Sequence, residues 1–118
     1  MNSEQFVKVI KSVVVDSATE STLSNLANPP GRRPNPELVK KSDWYKALSD
    51  QDKRILESVV AGAVHQAVFG MFAVIDGVRV INDGPVKADI ELFYVEDGER
   101  LQLNAPGQEP LHDILNRL

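Results

Sequence analysis

Apolar residues recur at helical spacing from the start of the chain. Phe6, Val9, Ile10, Val13 and Val14 form one stripe, and Lys8, Lys11 and Ser12 lie outside it, so a 3.6-residue period predicts an amphipathic helix. Asn2 or Ser3 can cap its start by accepting a free first-turn amide. Ser17-Ala18-Thr19-Glu20 reads as a capping box at which the helix could break and restart; one helix over about 3 to 26, taking in Leu23 and Leu26, is the favoured reading. Asn35 followed by Pro36 starts a second, short helix through Glu37, Leu38, Val39 and Lys40. Ser49, with Asp50 and Asp52 in the next turn, starts a third.

The third helix carries Ile55, Leu56, Val59, Val60, Ala63, Val64, Ala67, Val68, Met71, Phe72 and Ile75 at helical spacing. Its second half is apolar almost all round, which predicts a long buried core helix, with Gly62, Ala63, Ala67 and Gly70 letting another backbone come close. Gly77 is then the left-handed residue that ends it. A rival reading stops the helix near Phe69 and makes 72–75 a strand, joined through Asp76-Gly77 to Val78–Ile81.

Alternation with period two takes over in the last third. Lys87–Glu96 and Glu99–Asn104 flank Asp97-Gly98, the dipeptide suited to a type I′ turn because both central residues need positive φ. That turn sets the register: Glu96 pairs with Glu99, Tyr94 with Leu101, Leu92 with Leu103 and Ile90 with Ala105 on one face. Val95 with Arg100, Phe93 with Gln102 and Glu91 with Asn104 occupy the other. Val78–Ile81 is expected to add a third strand, connected through Asn82-Asp83-Gly84-Pro85. Leu111, Ile114, Leu115 and Leu118 mark a short C-terminal helix that Pro110 can start. The expected architecture over 1–118 is a single α+β domain of three N-terminal helices, a roughly three-stranded antiparallel sheet and a closing helix.

Composition narrows the chemistry. With 118 residues, 42% hydrophobic and 25% charged, the chain matches one globular domain with its own core. It has no cysteine, which removes disulfides, thiolate metal sites and cysteine nucleophiles. Residues 1–48 carry seven Lys/Arg against five Asp/Glu, and 49–118 carry six against twelve, so +2 and −6 make up the net −4. An acidic C-terminal half repels phosphate, and nucleic acid is not an expected partner. No basic cluster followed by an apolar run opens the chain, so a cytoplasmic location is expected. The apolar stretch 59–75 is marginal for a bilayer and has His65 and Gln66 near its middle, so no membrane association is expected.

Catalytic signatures are missing. There is no Gly-x-Gly-x-x-Gly, phosphate loop, Gly-x-Ser-x-Gly or His-Glu-x-x-His, and the acidic residues lack calcium-loop spacing, so no catalytic residue, metal or cofactor is assigned. His65, amid apolar neighbours, could serve as a base but reads first as a hydrogen-bonded helix residue. His112 beside Asp113 reads as a solvated helix start, because adjacent helical residues diverge by about 100°. Asp76, Asp83, Asp89 and Asp97 are accounted for by caps and turns. Arg32 and Arg33, in a nine-residue stretch (28–36) with four of the seven prolines, could clamp an anion or carboxylate. That stretch has no Pro-x-x-Pro spacing. Trp44 and Tyr45 are of the kind that anchors interfaces, though a sole tryptophan is first expected in the core.

Asn28-Pro29-Pro30-Gly31-Arg32, Trp44-Tyr45, Leu48-Ser49 with Asp52, Ala67-Val68-Phe69-Gly70, Asp76-Gly77-Val78-Arg79 and Leu111-His112-Asp113 together resemble a family of small bacterial proteins with no assigned activity. The resemblance covers most of the chain and transfers no catalytic residue; it implies Arg32, Trp44, Tyr45, Arg79 and His112 as positions to probe. The expected function is a non-enzymatic protein-interaction module, similar by analogy to immunity or antitoxin-like partners. Two alternatives stand beside it. One is a small-ligand sensor or enzyme, with a pocket between the third helix and the sheet lined by His65, Tyr94 and an arginine. The other is a structural homodimer sealed by the Gly62/Ala63/Ala67/Gly70 face or by an edge strand.

Overall fold

A computed structural model describes residues 1–86 and 88–118, so the Lys87 end of the expected first hairpin strand lies outside the described residues. Among the described residues the architecture is α+β, with four helical stretches and a two-stranded antiparallel sheet. Helix α1 covers 3–27: α-helical over Ser3–Ile10, π-helical over Lys11–Asp16 and α-helical again over Ser17–Ala27. Helices α2 (Pro36–Lys46) and α3 (Asp50–Ile75) follow, then β1 (Phe93–Glu96), β2 (Glu99–Gln102) and α4 (Leu111–Arg117).

Most helix ends follow local chemistry. Asn2 forms a capping box: its side chain accepts from the Gln5 amide at 2.8 Å, and the Gln5 side chain accepts from the Asn2 amide at 2.9 Å. Asn35 accepts from the Glu37 amide at 2.9 Å with Pro36 in the first turn, and Ser49 accepts from the Asp52 amide at 3.1 Å. Ser17–Glu20 does not restart α1: Asp16 has helical dihedrals and makes no side-chain cap bond. The π segment instead holds Val13, Val14 and Val15, whose branched Cβ atoms crowd the preceding turn of an α-helix.

The C-terminus of α3 is a Schellman motif. Gly77 has φ 79°, its amide donates to Val74 O at 3.1 Å, and the Val78 amide donates to Ala73 O at 3.0 Å. Residues 72–75 are therefore helix. The same motif explains why no third strand forms at 78–81: the Val78 and Arg79 amides already bond Ala73 O, and Val78, Val80 and Ile81 are exposed. The hairpin has the register its turn dictates, Phe93↔Gln102, Tyr94↔Leu101, Val95↔Arg100 and Glu96↔Glu99, with Asp97 at φ 52° and Gly98 at φ 79°. Leu92 and Leu103 extend it by one backbone bond, Leu103 N to Leu92 O at 2.7 Å. On the second face the Arg100 guanidinium lies 4.4 Å from the centre of the Phe93 ring.

The chain forms two compact units, 1–12 with 66–118, and 13–65. In the first, Val7, Phe72, Leu103, Leu111, Ile114 and Leu115 make a buried cluster, which Phe6, Val68, Phe69, Leu92 and Tyr94 border. The apolar face of the hairpin and the i, i+3, i+4 stripe of α4 thus meet in one core. Arg117 closes its edge with a bidentate bond to Glu109 (2.8 and 3.1 Å) and a third contact to Glu4 at 3.0 Å. In the second unit, Val15, Ser42 and Tyr45 are the buried residues, and Lys53 Nζ lies 5.4 Å from the Tyr45 ring centre.

Helix α3 departs from the buried core helix that its composition predicts. Only Gly70, Phe72 and Ala73 of its 26 residues are buried, whereas Ile55, Val59 and Met71 are 57%, 59% and 61% exposed. Its last turns insert Val68, Phe69, Phe72 and Ile75 into the first unit's core, and the opposite face is left bare. Nothing lies within 4 Å of a Cβ added at Gly62.

Candidate functional site

Two features of the described residues bring chemistry together, one at the C-terminal end of α3 and one along its exposed face. At the end, Asp76 is the residue on which the helix terminates, and its carboxylate reaches α4. Asp76 Oδ2 accepts from the His112 main-chain amide at 2.9 Å and lies 2.6 Å from His112 Nδ1. Pro110, the residue before α4, has no side chain able to cap it, so the Asp76 carboxylate, 36 positions before His112, supplies the cap and meets the positive end of the helix. The His112 ring also has Nε2 3.3 Å from Asp113 Oδ1 and meets the Phe69 ring edge-on at 5.4 Å. With side chains 4% and 13% exposed, Asp76 and His112 form a largely buried pair. His112 is therefore not a solvated helix start, and Asp76 does more than end a turn.

Asn104 completes this end of α3. Its Nδ2 donates to Ile75 O at 2.9 Å and to Ile90 O at 2.7 Å, and its Oδ1 accepts from the Leu92 amide at 2.9 Å. The last four carbonyls of α3 are thus all satisfied: Phe72 O by the Asp76 amide, Ala73 O and Val74 O by the Schellman bonds, and Ile75 O by Asn104. Beside it lies a cleft of about 590 Å³, lined by the Asp76, Asp89, Glu91 and Glu109 carboxylates and the Gln102, Asn104 and Gln108 amides. The Arg117 guanidinium, by hydrogen bond first and by its charge, holds the Glu109 carboxyl below the ordinary carboxylate range. A second cleft has Tyr94 beside Glu96, Glu99 and Arg100; the Glu96 charge pushes the Tyr94 hydroxyl above its usual range. Among the described residues, no group of three or more His, Asp or Glu side chains is placed to hold a metal.

The residues singled out by sequence do not gather at either cleft: Arg32, Arg33, Trp44, Tyr45, His65, Arg79 and His112 line neither. Arg32 and Arg33 are exposed in the proline-rich loop. Trp44 is 54% exposed and Tyr45 is buried, the reverse of a core tryptophan: neighbours on a helix point about 100° apart, and the inward direction falls to Tyr45. His65 is half-buried on α3. Arg79 lies across Gly70, where an added Cβ would stand 2.5 Å from its Nη1. Reading by residue missed Asp76 as the partner of His112 and Asn104 as a staple; the one local signal was Pro110, a helix start with no cap of its own.

The second feature is the bare face of α3. Ile55, Val59, Ala63, Ala67 and Met71 recur every fourth residue and are all exposed. By length and composition alone the helix could cross a membrane. No family model, curated protein or solved structure matches the chain, and nothing in those comparisons bears on the resemblance to small bacterial proteins.

Proposed function

We propose that this chain is a non-enzymatic protein-interaction module, analogous to small immunity or antitoxin-like partners, that offers the exposed face of α3 to an apolar helix of another polypeptide. The observation that carries this reading is the exposure of Ile55, Val59 and Met71, each more than half accessible on a well-formed helix. Adjoining exposed apolar side chains support a binding surface in a way that singly scattered ones do not. Burying the remainder of these three side chains is worth roughly 1–2 kcal/mol apiece, from about 1.5–3 kcal/mol for complete burial. Together they contribute roughly 3–6 kcal/mol to a helix-in-groove or helix-on-helix contact, against an association cost of about 4–15 kcal/mol that further burial has to offset. The His112–Asp76 pair has a structural role in this reading, as the join between α3 and α4.

The test is native mass spectrometry of complexes retained by the tagged wild-type chain and by Val59→Glu. Retention of a stoichiometric protein by the wild type, and its loss in a variant with an unchanged circular dichroism spectrum, is the expected result. Identical retention by both would overturn the assignment of this face.

A further inference from the structure

We propose that Arg79, Val80 and Ile81 pair as an antiparallel strand with the outer edge of β1 in a second copy of this chain. Both elements lie in the unit formed by 1–12 and 66–118, and neither contains a residue of the exposed α3 strip. Leu103 N donates to Leu92 O, and the register puts Tyr94↔Leu101 and Glu96↔Glu99 in the same hydrogen-bonded class. Phe93 and Val95 therefore turn their N–H and C=O groups outward, where no main-chain partner meets them among the described residues. Nothing blunts that edge, since Phe93-Tyr94-Val95 has no proline or lysine and its pairing has no bulge. The residues after α3 have the matching character. The Schellman bonds take the Val78 and Arg79 amides, but the Val80 N–H and C=O have no partner among the described residues, and no main-chain bond joins the segment to β1 of its own chain. Val80 and Ile81 are each more than half exposed, as is Val95 on the hairpin. Branched side chains on open main chain are the pattern of a strand without its neighbour.

Charge and side-chain pairing set the register. With Val80 opposite Val95, the two residues exchange both main-chain bonds, Ile81 falls opposite Tyr94, and Arg79 falls opposite Glu96. Glu96 and Glu99 face each other directly across the hairpin, a like-charge pair that destabilises it, and neither meets a cation among the described residues. The Arg79 guanidinium lies across Gly70, also without a carboxylate partner among them. Pairing therefore brings an unmatched cation to an unmatched pair of carboxylates. Arg79 and Ile81 enter on the face that carries Tyr94, Glu96 and Leu101, the residues that with Met1 line the second cleft, of about 460 Å³. Parallel pairing with Val80 opposite Val95 sets Ile81 against Glu96 instead, an apolar side chain against a carboxylate.

Sedimentation of the full chain should give a mass that rises above 13.0 kDa with concentration. Val80→Asp sets a carboxylate where Val95 packs and should weaken association about tenfold or more, with an unchanged circular dichroism spectrum because Val80 is exposed in the single chain. Arg79→Glu should weaken it too, and Arg79→Glu combined with Glu96→Arg in one chain should restore it. The chain has no cysteine, so single-cysteine variants report the register: under mild oxidation Arg79→Cys mixed with Glu96→Cys should form the mixed disulfide faster than either links to itself. A faster link between Ile81→Cys and Glu96→Cys would overturn the antiparallel arrangement. A wild-type mass of 13.0 kDa at every concentration would overturn self-pairing and leave the α3 reading standing. Loss of the higher mass in Val59→Glu but not in Val80→Asp would move the contact to α3 and overturn it equally.

Discussion

Replacing Asn104 by Ala removes three hydrogen bonds of 2.7–2.9 Å at once. Each is worth roughly 0.5–1.5 kcal/mol net, and leaving its former partners without a bond adds to the cost where they stay shielded from water. The expected loss is about 3 kcal/mol. With an unfolding entropy of about 2.1 cal/mol/K per residue, a 118-residue chain should then melt about 12 °C lower. Asn104→Asp sharpens the test, because it keeps the acceptor for the Leu92 amide but turns the donor to Ile75 O and Ile90 O into a second acceptor. Its loss should equal or exceed that of Asn104→Ala. Thermal melts followed by circular dichroism, with urea titration for the free energy, measure both. A fall of less than about 4 °C in either variant would refute the reasoning, since it would mean that water replaces the amide at little cost.

Further outcomes follow from the same unit. Asp76→Ala should cost about 2–4 kcal/mol through the lost cap and the lost imidazole contact, and a double-mutant cycle with His112→Ala should show coupling of at least about 1 kcal/mol; additive losses would show that the two groups act separately. Gly98→Ala, at φ 79°, should cost about 1 kcal/mol in urea titration, and no change would mean that the hairpin can adopt another turn. Glu109 has its carboxyl held below the ordinary value of 4.5, so its contribution is complete above that value and is lost as pH falls through the lowered one. Glu109→Gln should therefore lower the melting temperature at pH 7 and match the wild type once the pH is below Glu109's own titration; a constant difference across that range would contradict the Arg117 pairing.

The features legible in the sequence were those fixed by a few neighbouring residues. The hairpin register follows from Asp97-Gly98 and a period of two, and the Asn2, Asn35 and Ser49 caps from side chains within three residues of the amides they bind. Gly77 as the left-handed residue belongs to the same class. What sequence could not supply was tertiary. Whether an apolar helix is covered depends on what packs on it, and α3 is fully buried only at positions in its last turns, with Leu56, Val60 and Val64 half-buried. The choice between Trp44 and Tyr45 for the inward position needs the direction of α2. The Asp76–His112 pair and the Asn104 staple join residues 36 and 12 or more positions apart, which no local pattern encodes.

The buried cluster that holds the first unit together draws Val7 from one end of the chain and Leu111, Ile114 and Leu115 from the other. On a ribosome adding about 5–20 residues per second, Val7 waits roughly 5–20 s before Leu115 is made. Throughout that interval Phe6, Val7 and Ile10 have no core to enter. The unit therefore cannot complete its folding until Leu111, Ile114 and Leu115 have been made and can close over Val7.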